Sequence, residues 1–229
     1  MFILSDVHGR AEGLKDFLNS NDENCIQLGD FGFIWTKWDI PYNKFLNKFE
    51  KEYPNKRIFT VLGNHENYDA IHSLPRVEVF GAKGYQIRSN VFAIDRGEIL
   101  SIEGFTFLCV GGADSTDKNI RLYDQDYTGK KSWWAQEQIT QKDIDNALEN
   151  IEKYNGKVDV VCTHAEPTSF LKEYFRFGID YPSEILLQDL FSQIDFTLWV
   201  CGHIHETVHG EIHDKTIISL GINEFIIID

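Results

Sequence analysis

The sequence predicts a mixed α/β protein built from two packed β-sheets flanked by helices. Three observations carry that reading. Five short apolar runs bounded by Gly or Asp read as strands buried on both faces. Helical periodicity lies between several of them. Two further regions, residues 86–112 and 208–228, read as β-meanders rather than strand–helix–strand units. With 229 residues the chain has the size of one domain, 1–229, and can bury a core without staples.

The first strand is Phe2-Ile3-Leu4, which stops at Asp6 and His8. Arg10–Ser20 then sets Leu14, Phe17 and Leu18 on one helical face. Cys25–Leu28 is the second strand and ends at Gly29-Asp30. Pro41–Tyr53 reads as a helix, with Pro at its start and Phe45, Leu46 and Phe49 at helical spacing. Ile58–Leu62 ends at Gly63-Asn64-His65-Glu66. Phe92–Ile94, Glu98–Ile102 and Phe105–Val110 are separated by Arg96-Gly97 and Glu103-Gly104, a pattern of antiparallel hairpins. Ile139–Tyr154 carries Ile144, Leu148 and Ile151, with Thr140 as N-cap and Asp143 three residues on. Val158–Cys162 ends at Thr163-His164. Ser183–Ile194 reads as a helix capped by Ser183. Leu198–Cys201 ends at Gly202-His203-Ile204-His205, and Val208–Ile228 is β, with Gly210 and Gly221 as breaks.

Composition narrows the function. Asp and Glu outnumber Lys and Arg, 36 to 22, for a formal charge of −14. Such a surface repels nucleic acid and anionic membranes at long range, so long nucleic acid is not an expected partner. A phosphate-bearing substrate would need positive charge supplied locally. No basic leader or bilayer-length apolar run opens the chain, so no membrane partner is expected. Cys25, Cys109, Cys162 and Cys201 lie far apart inside or beside apolar runs, without a Cys-x-x-Cys pair. They read as buried, reduced thiols, which points to the cytoplasm.

The five strands end in Asp, Asn or His, where open α/β sheets gather ligands. Asp6 and His8 are two residues apart, as are His203 and His205, so each pair can point the same way from extended backbone. Oxygen and imidazole donors without thiolate suit manganese, iron, zinc or similar ions rather than a structural cysteine–zinc site.

Asp6-Val7-His8-Gly9, Gly29-Asp30, Gly63-Asn64-His65-Glu66, Thr163-His164 and Gly202-His203-Ile204-His205 together resemble, in order, the motif set of the calcineurin-like metallophosphoesterases. The resemblance spans residues 6 to 205. It implies a four-layer α/β/β/α fold, a β-sandwich with helices on its outer faces. It implies two divalent ions, manganese first, with iron, zinc, nickel or cobalt as alternatives. Asp6, His8 and His205 would hold the first ion, Asn64, His164 and His203 the second, and Asp30 would bridge them. His65 matches the family's usual proton donor. The implied reaction is hydrolysis of a phosphate mono- or diester. Two ions neutralise the phosphate oxygens and lower the pKa of a water, hydroxide attacks phosphorus in line, and an imidazole protonates the leaving oxygen.

One departure matters. Where the family often has Gly-Asp-x-x-Asp, followed in protein Ser/Thr phosphatases by Arg-Gly, this chain has Phe33 and Ile34. That weakens a protein-phosphatase reading, which stays an alternative beside a non-catalytic scaffold of the same fold. Small soluble phosphoesters are the expected substrates. The residue that orients His65 stays open, with Asp69 and Asp39 as candidates. Arg10 and Arg121 are candidate substrate contacts. Asp114 reads as a turn residue, Trp133-Trp134 as packing before a base platform, and Phe31–Trp38 either as a lid or as a buried connection. Oligomeric state is not legible.

Overall fold

We describe a computed structural model covering residues 1–36, 39–176, 178 and 180–229. The strands are β1 Phe2–Leu4, β2 Asn24–Gln27, β3 Arg57–Val61, β4 Arg76–Val79, β5 Ala82–Arg88, β6 Val91–Ile94, β7 Glu98–Ile102, β8 Phe105–Val110, β9 Lys157–Thr163, β10 Asp195–Cys201, β11 Val208–Ile212, β12 Lys215–Ser219 and β13 Phe225–Ile227. The helices are α1 Lys15–Asn19, α2 Asp39–Tyr42, α3 Lys44–Glu52, α4 Tyr68–His72, α5 Lys118–Thr128, α6 Gln141–Glu152, α7 Thr168–Phe170 and α8 Pro182–Gln193.

Two mixed sheets form. One has the order β13-β1-β2-β3-β6-β5-β4, the other β11-β12-β10-β9-β8-β7. Each is parallel at its centre, through β1, β2, β3 and β6 in the first and β8, β9, β10 and β12 in the second. Antiparallel strands complete the edges. The period of two along each strand splits its side chains between layers. Ile3, Ile26, Phe59 and Val61 meet Phe107, Cys109, Val160, Cys162 and Val200 between the sheets. Phe2, Leu4, Cys25 and Ile58 face outward into a core with Leu14, Phe17, Leu46 and Phe49. Val161, Trp199 and Cys201 face the other way, against Ile144, Ile151, Leu187 and Phe191 of α6 and α8. The result is the expected helix–sheet–sheet–helix layering. All four cysteines are buried and free.

Several boundaries differ from expectation. Arg96-Gly97 is no hairpin turn: β6 pairs with β3 and β5 in one sheet, while β7 pairs with β8 in the other. The chain crosses between sheets there. Gly97 lies so close to α6 that a Cβ would fall 2.6 Å from the Ala147 nitrogen, and Arg96 donates to the carbonyls of Gln136, Glu137 and Gln138. The helix expected over Arg10–Ser20 begins as a 3₁₀ turn, Ala11–Leu14. The helix expected over Pro41–Tyr53 is broken at Asn43, whose side chain caps α3 by accepting from the Leu46 N–H. Thr140 and Asp143 form the anticipated capping arrangement on α6, with Asp143 accepting the Thr140 N–H at 2.8 Å.

Ser183 does not cap α8. Tyr181 takes that position and Pro182 the first turn, while Ser183 Oγ accepts the Ile139 N–H at 3.1 Å. Gly210 lies inside β11 rather than breaking it; a Cβ there would fall 2.4 Å from the Tyr174 ring. Among the described residues no helix is long and apolar enough to cross a membrane.

Candidate metal centre

The motif residues follow the carboxyl ends of five parallel strands, three in one sheet and two in the other. Asp6 and His8 follow β1, Asp30 follows β2, and Asn64 and His65 follow β3. His164 follows β9, and His203 and His205 follow β10. Asp6, His8, Asp30, His203 and His205 all have positive φ, between 37° and 67°. Non-glycine residues avoid that region unless the surroundings hold them there. These tight turns, rather than the extended backbone expected for Asp6/His8 and His203/His205, swing each side chain across the strand ends into one locus.

Three glycines make the approach possible. A Cβ on Gly63 would fall 2.2 Å from Asp30 Oδ1 and 2.9 Å from His164 Nε2; one on Gly29 would fall 2.5 Å from His164 Nδ1; one on Gly202 would fall 2.3 Å from Asp6 Oδ2. Each of these three glycines therefore clears space for a polar side chain delivered by another strand.

In the first half of the cluster, donor atoms of Asp6, His8, Asp30 and His205 all lie within 4.8 Å of one another. His205 Nε2 is 3.4 Å from Asp6 Oδ1 and 3.1 Å from His8 Nε2. His164 heads the second half, with Nε2 3.3 Å from Asp30 Oδ1 and 3.0 Å from Asn64 Oδ1. Its Nδ1 is 2.8 Å from the Leu28 carbonyl, which orients the ring. His203 packs edge-on against it, ring centroids 4.9 Å apart.

This arrangement fits divalent ions. Asp6 and Asp30 are buried carboxylates, and Asp6 Oδ1 has no hydrogen-bond partner beyond the His205 imidazole 3.4 Å away. A buried anionic oxygen left so is costly without a cation. Burial pushes Asp6 up, but contacts with His205, His164 and Ser5 outweigh it and hold the carboxyl below its usual range. Desolvation lowers His8 and takes His203 down to about 4, favouring the neutral imidazole that coordinates metal. His205, beside Asp6, is raised.

The other predicted residues are placed differently. Arg10 is exposed at the head of the first helical turn. Arg121 is buried behind His65, its Nη2 2.8 Å from His65 Nδ1, and so does not stand open to substrate. Neither carboxylate candidate orients His65. Asp69 accepts from Lys131 and Trp134, and Asp39 from the N–H groups of Trp35 and Thr36. Asp114 is structural, accepting the Ser183 N–H. Trp134 is buried in packing, whereas Trp133 is half-buried with its N–H on Glu137. Phe31, Phe33 and Ile34 lie in the core, as a buried connection rather than a lid; Lys37 and Trp38 of that segment are outside the described residues.

Sequence reasoning missed Ser115, Glu137 and Glu66. Ser115 Oγ accepts from Asn64 Nδ2 at 3.0 Å, which turns the Asn64 carbonyl oxygen toward His164. Glu66 is buried, and its Oε1 accepts the Phe31 N–H at 2.6 Å, tying the loop after Asp30 to the loop after Asn64. Only the place of Glu66 beside His65 in its motif could have signalled it. A groove of about 910 Å³ lies between Tyr85, Arg76 and α6, and none of the clustered residues lines it.

The family model described as calcineurin-like phosphoesterase matches residues 1–207. The chain belongs to that family. A solved structure at 10% identity aligns with 96% of this calcineurin-like chain and 90% of its own, with a TM-score of 0.53, in keeping with a shared fold. A putative 5'-nucleotidase from Staphylococcus aureus aligns with 97% at 14% identity and a TM-score of 0.45; this chain spans about half of it, 48%. The phosphopantetheinyl hydrolase of Mycobacterium tuberculosis aligns with 97% of this chain and 89% of its own, at 15% identity and a TM-score of 0.47. No curated protein sequence matches the chain.

Proposed function

We propose that this calcineurin-like protein hydrolyses small phosphate mono- or diesters with two divalent ions. The observation that carries the reading is the position of Asp30, whose Oδ1 faces His164 and whose Oδ2 faces His8, 3.3 and 3.8 Å away. One carboxylate thereby serves both halves of the cluster. Asp6, His8 and His205 would hold one ion, Asn64, His164 and His203 the other. When bound, such a pair neutralises phosphate oxygens and makes water a stronger nucleophile near neutral pH.

The chain's own residues do the rest. With Asn64 neutral, the proposed ligand set brings two carboxylates against two divalent charges, so the site draws an anion despite the net charge of −14. His65 lies beside His8, ring centroids 5.8 Å apart, and its backbone N–H donates to Asp30 Oδ1. Both contacts support a role for the ring at the rim, sharing a proton with the leaving oxygen as charge develops there.

The test is turnover of p-nitrophenyl phosphate and bis-p-nitrophenyl phosphate by protein purified free of metal, with and without added Mn²⁺. Cleavage of at least one ester that depends on the ion is expected, and which one turns over faster assigns the mono- or diester class. Protein shown to hold two ions yet cleaving neither ester nor a wider phosphoester panel would overturn the proposal. His65→Ala should keep its metals and slow esters with poor leaving groups most.

A further inference from the structure

Behind His65 lies a buried charged cluster that the hydrolytic reading leaves unused. Arg121 projects from α5 and is 7% exposed. Its Nη2 lies 2.8 Å from His65 Nδ1 and 3.4 Å from the Asn64 carbonyl. Its Nη1 donates to Ser115 Oγ at 2.9 Å and approaches the Asn64 carbonyl at 3.3 Å and Glu137 Oε2 at 3.5 Å. Its Nε is 3.6 Å from Asp117 Oδ2. Both guanidinium ends are engaged by protein, so little donor capacity is left for a phosphate. Glu137 is itself 1% exposed and fixed by the Ser115 N–H and the Trp133 indole, at 2.9 and 2.8 Å.

The chemistry of the His65 contact has one sense. A guanidinium offers only donors and stays charged. The ring nitrogen that meets it must therefore be the acceptor, and the ring proton sits on Nε2. The carboxylates that commonly orient active-site histidines do the reverse: they hold a proton on Nδ1 and leave Nε2 as acceptor. We propose that Arg121 is a positioning residue that locks His65 as a donor through Nε2–H, so that His65 can polarise a leaving oxygen but cannot serve as a general base. The proposal rests on the hydrolytic reading above. Glu137 and Asp117 hold the guanidinium in place, and Ser115 links the same cluster to the amide of Asn64.

The experiment compares the parent, Arg121→Met, Arg121→Gln and His65→Ala, each loaded with zinc and checked for two ions. Nitrogen-15 NMR of the imidazoles reads the tautomer directly. The parent should show a His65 proton on Nε2 and an acceptor Nδ1, and Arg121→Met should show a mixture. Across aryl phosphates of rising leaving-group pKa, Arg121→Met should lose about 10–100-fold in kcat with KM little changed, as loss of an outer partner does. The loss should grow as the leaving group worsens, and added methylguanidine should recover part of it. If Arg121→Met does not fold, Arg121→Gln is read by the same spectrum and should also show a mixture, since its amide can either donate or accept.

A raised KM with kcat retained would mean that Arg121 grips substrate and would overturn the proposal. So would an unchanged tautomer in both variants. If His65→Ala cleaved every ester at the parent rate, the reaction role of His65 would fall, and the proposal with it. If His65→Ala were slow while both arginine variants kept the parent rate, only the assignment of Arg121 would fall.

Discussion

Asp30 and His164 come from opposite sheets and meet 3.3 Å apart, with the second Asp30 oxygen left facing His8. A residue so placed touches both halves of the cluster. Asp30→Asn keeps the shape but loses the charge, and its amide nitrogen cannot ligate. We expect metal content to fall from two ions to one or none, read by elemental analysis of dialysed protein, with phosphoesterase turnover falling at least about 100-fold.

The same contact depends on Gly63. Gly63→Ala would drive a methyl into Asp30 Oδ1 and the Asp30 nitrogen, 2.2 and 2.3 Å away. We expect a stability loss of about 1–3 kcal/mol with a normal circular dichroism spectrum and a vacant second ion position. Full metal loading of this variant would show that the loop can relax and that the glycine is not needed for clearance.

Ser115 governs which face Asn64 shows. An amide can flip at little cost when nothing distinguishes its two ends. Ser115→Ala removes the acceptor for Nδ2, and we expect about 10–100-fold weaker binding of one ion of the pair, measured by competition with a chelator. The other ion should bind as before.

Stability should also depend on pH through Glu184. Burial raises its carboxyl to about 7, with Asp114 and Asp180 adding to the shift, and its Oε2 has no hydrogen-bond partner. The folded state keeps this proton after the unfolded chain has lost it. The contribution is therefore full below pH 4.5 and is lost as pH rises from there through about 7. Glu184→Gln should gain about 1–3 kcal/mol at pH 8 and nothing at pH 4, measured by urea unfolding at the two pH values.

Much of this was legible in the sequence because the chemistry sits at strand ends. Phe2–Leu4, Cys25–Leu28 and Val158–Cys162 are short, mostly apolar runs, so the polar residues that follow them stand out. The layers followed from the same runs. The support behind the centre was not legible: Ser115 and Arg121 act on Asn64 and His65 from 51 and 56 residues away, with no periodic signal between. Arg96-Gly97 misled because a glycine forced by close packing on α6 looks the same in sequence as one required by a turn. The β4–β5 hairpin was passed over because its outer strand, Arg76–Val79, is an edge strand of four residues, too short for its alternation of exposed and half-buried positions to stand out.

The five left-handed residues of the centre carry a consequence for how the centre can be emptied. Each of Asp6, His8, Asp30, His203 and His205 occupies backbone that glycine adopts freely. Replacement by glycine would remove a donor and relax the local strain together. His205→Gly should thus melt higher than His205→Ala when both are free of metal. Glycine is thus the gentlest way to empty the centre, since it removes a donor at less cost to the fold than alanine does.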